Sequence, residues 1–96
     1  MIRSFGDAAT EALFNGEARR AWRSLPPEIR STAVRKLDML NAASDLKDLR
    51  VLPGNRLEAL KGDLRGMHSI RINDQWRGLF RWDAGDAHEV GIVDYH

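Results

Sequence analysis

At 96 residues the chain has the length of one ordinary domain, and residues 1–96 are read as one. It contains no Cys, which excludes disulfide staples and thiolate catalysis, and no run of about 18 apolar residues of the kind a membrane-spanning helix needs. The net charge of +1 conceals a partition: residues 49–82 hold Arg50, Arg56, Lys61, Arg65, Arg71, Arg77 and Arg81 against Glu58, Asp63 and Asp74, whereas 83–96 hold only acids. A basic segment of this kind can gather phosphates, although such charge also serves simply to solvate a sheet face. The start Met1-Ile2-Arg3-Ser4 lacks the apolar region of a secretion signal, so the expected location is the cytoplasm. A chain this short buries only about 60 to 65% of its unfolded surface, so a stabilising partner is expected.

In chain order, Ile2 to Phe5 is a candidate edge strand. Asp7 can cap a short helix through Ala8, Glu11, Ala12 and Leu13, which Asn15-Gly16 ends. A helical turn through Arg19, Arg20 and Trp22 follows. After Pro26-Pro27, Ile29, Ala33, Leu37 and Leu40 recur at spacings of four, four and three, which predicts an amphipathic helix to about Ala43. Leu46 and Leu49 fit one further turn before Pro53-Gly54 breaks the chain. From there the period changes to two. Arg56–Leu60, His68–Ile72, Gln75–Asp83 and Ala87–Val93 read as strands, with punctuation at Lys61-Gly62-Asp63, Asn73-Asp74 and Ala84-Gly85-Asp86. In the second strand Ile70 and Ile72 share one face and Ser69 and Arg71 the other; in the third, Trp76, Phe80 and Trp82 oppose Arg77, Leu79 and Arg81. Short connections make the strands an antiparallel meander, so the fold class is α+β, with two main helices packed on one sheet face.

Chemistry concentrates at the end of the last strand, where Asp94, Tyr95 and His96 are consecutive. An imidazole titrates near neutral pH and can protonate a leaving 5′-oxygen, while Asp94 can orient a neighbouring group. Adjacent strand residues point to opposite faces, so either the strand bulges there or only two of the three reach one site. Arg77 is the leading cation, because a guanidinium can give a phosphate two parallel hydrogen bonds. Lys61 is either a second phosphate contact or a solvated turn lysine. Glu58 is either a base towards a ribose 2′-OH or an ion-pair partner of Arg56 or Arg77. Trp76, Phe80 and Trp82 either stack on bases or form core under the long helix, and their spacing favours core. His68, His88 and His96 lack the close ligand pairs of recognised zinc patterns, and no metal or cofactor is expected.

The runs Pro53-Gly54-Asn55-Arg56-Leu57-Glu58-Ala59-Leu60-Lys61-Gly62-Asp63, Ser69-Ile70-Arg71-Ile72-Asn73-Asp74-Gln75-Trp76-Arg77 and Asp94-Tyr95-His96, with Ile2-Arg3-Ser4-Phe5, resemble HigB-type toxins of the RelE/ParE superfamily, also called plasmid maintenance system killer proteins. The resemblance implies a RelE-like fold, with N-terminal helices on one face of a mainly antiparallel sheet of four or five strands. It also implies a toxin of a type II toxin–antitoxin system that enters the ribosomal A site, cleaves mRNA and arrests translation. A HigA-type helix-turn-helix antitoxin would neutralise it, and the oligomeric state would be set through that antitoxin. Lys61, Arg77, Asp94, Tyr95 and His96 match active-site positions of the family. Glu58 departs from the pattern, since some relatives carry a histidine there, and a carboxylate is a weak base at neutral pH unless its surroundings help. On this reading a base activates the 2′-OH, Arg77 and Lys61 stabilise the phosphorane, His96 or Tyr95 protonates the leaving oxygen, and Arg56, Arg65, Arg71 and Arg81 hold RNA. The alternative from a different class is a non-catalytic, ParE-like inhibitor of a host target such as DNA gyrase, which would survive truncation of Asp94 to His96.

Overall fold

Asp7 shows how the sequence begins its first helix and ties it to the sheet. Its extended backbone places the carboxylate where it accepts from Thr10 N (2.7 Å) and from the Thr10 hydroxyl (3.0 Å), so helix α1 (Ala8–Phe14) starts there. The buried Thr10 hydroxyl in turn accepts from Ile92 N (3.0 Å) on the last strand. The computed structural model describes residues 1–17, 19 and 25–94. The turn expected through Arg20 and Trp22, and the pair Tyr95 and His96, lie outside the described residues.

Helix α2 (Pro27–Ala42) opens with proline at its first position and buries Ile29, Ala33, Leu37 and Leu40, the four residues whose spacing marks the stripe. Helix α3 (Leu46–Arg50) carries a reciprocal cap: Asp45 accepts from Lys47 N, and Asp48 accepts from Asp45 N. A 3₁₀ turn, Pro53–Asn55, follows.

The sheet has four antiparallel strands in chain order, β1 (Glu58–Ala59), β2 (Met67–Arg71), β3 (Trp76–Asp83) and β4 (Asp86–Asp94). The two-residue loop Ala84-Gly85 joins β3 to β4 with φ of 50° and 81°, the doubly left-handed turn that suits the twist of a hairpin. The first residues, expected as an edge strand, lie along β4 as two isolated parallel bridges, Ile2 with Ala87 and Phe5 with Val90. Ile70, Ile72, Phe80, Val90 and Ile92 meet Leu13, Ile29, Leu37 and Leu40 in one core, with Trp76 and Trp82 packed against its margin. The aromatic residues of β3 thus serve the core. Among the described residues no helix is long and apolar enough to cross a membrane.

One local expectation changes. The strand read as Arg56–Leu60 contracts to Glu58–Ala59, because Asn55 is fully buried within its turn and Arg56 leaves that turn in a left-handed conformation at φ 43°. Ser69 shares the face of Arg71, as the alternation placed it, and is 0% exposed.

Candidate active site

Strand register determines which side chains meet on the face away from the helices. Arg71 stands directly opposite Arg77, and Arg77 opposite Val93; one step along, Glu58 stands opposite Ser69, and Ser69 opposite Leu79. Directly paired residues share a face, so β1, β2 and β3 bring Glu58, Ser69, Arg71 and Arg77 together. Two guanidinium groups in direct cross-strand opposition repel one another, and an anion between them relieves that repulsion.

Arg77 is 17% exposed, and its Nη2 lies 3.9 Å from Glu58 Oε1, whose side chain is 54% exposed. The carboxylate therefore reaches from β1 across β2 to the β3 cation. At this separation it is an ion pair without the geometry of a direct hydrogen bond. Of the open alternatives for Glu58, the structure shows contact with Arg77, and this contact leaves its role as a base open. Arg71 is tethered by Asp74, whose carboxyl is held below its ordinary pKa first by the hydrogen bond from Arg71, then by that residue's charge and the charge of Arg56.

Lys61 is exposed, three residues beyond Glu58, where the chain enters the 3₁₀ turn Gly62–Leu64; Arg65, also exposed, closes that turn. Arg56 is exposed at the opposite end of β1. Arg81 shares the open face but pairs with Glu89 at 2.7 Å, beside a shallow cavity of about 480 Å³ lined by Ser4, Gly66, Trp82 and His88. Of the four arginines read as RNA contacts, Arg71 and Arg81 lie on strands, Arg56 and Arg65 at 3₁₀ turns, and Arg71 alone stands directly opposite Arg77.

Asp94, at the end of β4, stands opposite Trp76 and accepts from Gln75 Nε2 at 2.9 Å. Alternation sends the side chains of Asp94 and Arg77 off from opposite faces of the sheet end. The bulge in β4 lies upstream, between Leu79 and Arg81 in register, where Glu89 has φ 55°. Tyr95 and His96 follow outside the described residues.

His68 faces the helices, stacked on Phe80 with ring centroids 5.8 Å apart. Burial first, and the charge of Arg50 second, push its pKa down, so it is held neutral. His88 is opposite Arg81 on the other face. The described residues contain no group of three His, Cys, Asp or Glu that could hold a metal ion. Sequence reading overlooked Ser69 and the Gln75–Asp94 link. Both depend on cross-strand register, for which the alternation pattern of one strand carries no signal.

The family described as "RelE-like toxin of type II toxin-antitoxin system HigB" matches residues 3–96. The chain belongs to the HigB toxin family. It is 41% identical over 87 residues to "Toxin HigB-1" of Vibrio cholerae, covering 91% of this chain and 90% of that relative. It is 28% identical over 96 residues to "Endoribonuclease HigB" of Proteus vulgaris, covering all of both chains. The solved YoeB dimer of Staphylococcus aureus shares the fold, with a TM-score of 0.53 at 18% identity over 99% of this chain and 97% of that one. As a HigB toxin of a type II system, the protein has an antitoxin as its partner.

Proposed function

We propose that this HigB toxin is a ribosome-dependent endoribonuclease that cleaves mRNA in the A site and so stops translation. The observation that carries the reading is the Arg71–Arg77 pair together with Glu58 on the sheet face away from the helices. A scissile phosphate fits between the guanidiniums, where Arg77 can take up charge developing on the non-bridging oxygens. Lys61, on the adjoining turn, supplies a third cation.

The chemistry assigned to these groups is an internal displacement. Glu58 takes the proton from the ribose 2′-OH; the 2′-oxygen bonds to phosphorus as the bond to the 5′-oxygen breaks, leaving a 2′,3′-cyclic phosphate. The departing 5′-oxygen receives a proton from His96 or Tyr95, with Asp94 orienting them. The 2′-OH is the nucleophile, so DNA is inert. The site offers few acid–base groups, which supports a role for the ribosome in aligning the strand. Arg56, Arg65 and Arg81 contact the flanking backbone. The antitoxin is assigned as HigA-type, and the place of action is the cytoplasm.

A purified translation system programmed with a defined mRNA tests the reading. Wild type should release fragments ending in a cyclic phosphate, Arg77→Ala and His96→Ala should release few, and free mRNA should be largely spared. Undiminished cutting at a 2′-deoxy nucleotide would overturn the mechanism.

A further inference from the structure

Ser69 lies on the face of the proposed site, and the proposed mechanism leaves its hydroxyl unused. It is 0% exposed, and its hydroxyl oxygen has no hydrogen-bond partner. Burying a hydroxyl unpaired costs about 1–3 kcal/mol. Its location is informative. Ser69 is the direct cross-strand neighbour of Glu58, and Glu58 extends over β2 to Arg77 on β3. Directly opposed residues have their Cβ atoms about 4.5–5.5 Å apart, a span within which a glutamate carboxylate can rotate onto a serine hydroxyl. The hydroxyl therefore lies in the lane that the Glu58 side chain crosses.

The 3.9 Å contact between Glu58 and Arg77 cannot persist unchanged when a phosphate occupies Arg77, because the guanidinium fork would then be turned to the phosphate oxygens. The released carboxylate needs a new donor that keeps it beside the ribose. We propose that Ser69 is a positioning residue whose hydroxyl captures the Glu58 carboxylate when the scissile phosphate takes over Arg77. One Glu58 oxygen then accepts from Ser69 while the other faces the 2′-OH, and the buried hydroxyl gains the partner it lacks. The inference rests on Glu58 being the base in the reaction proposed above.

A double-mutant cycle on single-turnover cleavage tests it, with saturating programmed ribosomes and the full chain. Ser69→Ala should slow cleavage roughly tenfold with little change in the ribosome concentration that gives half-maximal rate, in keeping with loss of a hydrogen bond to a charged group. Ser69→Cys, which is close in shape though slightly larger and is a weak donor, should be slowed alike. In the Glu58→Gln background, Ser69→Ala should cost little more. If Ser69→Ala costs the same factor in both backgrounds, or Ser69→Cys matches wild type, the positioning role is overturned while Glu58 stands as base. If Glu58→Gln alone cleaves at the wild-type rate, the assignment of the base fails and the role of Ser69 fails with it.

Discussion

The two faces of the sheet are made from the same strands and do opposite work. On the helix side, Ile70 and Phe80 are sealed in the core; Arg71, one residue along β2, and Arg77, three residues back along β3, look outward with Glu58. A register slip of one residue would carry arginines into the core and isoleucines to the surface, so burial on one side fixes the charge pattern on the other. The cationic surface is thus preorganised by apolar packing that never touches it.

That division can be broken most severely from the covered side. Phe80→Ala should cost about 3–5 kcal/mol, since it empties the largest fully buried side chain, and a small domain has only about 5–15 kcal/mol to lose. Urea unfolding measures this; a loss below about 1 kcal/mol would mean that the core does not set the register. Arg77→Ala attacks the other face. Unfolding stability should stay within about 1 kcal/mol of wild type, whereas ribosome-dependent cleavage should fall by about 10² to 10³. If the stability falls and cleavage does not, the assignment of the two faces is reversed.

What local pattern can encode explains which parts were readable. The Asp7 cap, the α2 stripe from Ile29 to Leu40 and the Ala84-Gly85 turn depend on residues close in sequence, and each forms where the pattern placed it. The β1 strand is shorter than its pattern predicted, for a distant reason. Lys36, only 8% exposed on α2, donates to the Asn55 side-chain oxygen, while Asn55 donates to Leu49 O, so a helix and a turn together hold the approach to Glu58. Burial, then Arg35 and Arg71, lowers the pKa of Lys36. Arg77 stood out as a cation beside an aromatic anchor, but its opposition to Arg71 and contact with Glu58 needed the register. The matches at Lys61, Asp94, Tyr95 and His96 came from family likeness, and alternation alone could not say which of the terminal residues share a face.

The β3–β4 hairpin offers a smaller test at the end where both faces meet. Ala84 occupies a left-handed position, φ 50°, ahead of Gly85, a setting in which Asn is better accommodated than Ala. Ala84→Asn should stabilise the fold by about 0.5–1 kcal/mol, raising Tm by several degrees while leaving cleavage unchanged. A lower Tm would show that the turn does not carry this strain.

The smallest effect comes from His68, an imidazole on the covered face. Burial and Arg50 lower the pKa of His68 in the folded state, so below its ordinary value of about 6.5 the unfolded chain binds more protons than the folded one. The stability linked to neutral His68 is therefore complete above pH 6.5 and drains away as pH falls through the window down to the folded-state pKa. His68→Phe keeps a ring stacked on Phe80 and removes both the proton site and the buried, unpartnered Nδ1. Urea midpoints measured from pH 7.5 downward should fall less steeply for His68→Phe than for wild type, with the curves separating only below about pH 6.5. Parallel curves would mean that His68 exchanges protons as freely in the fold as outside it, and the covered face would then admit water where the core is drawn as closed.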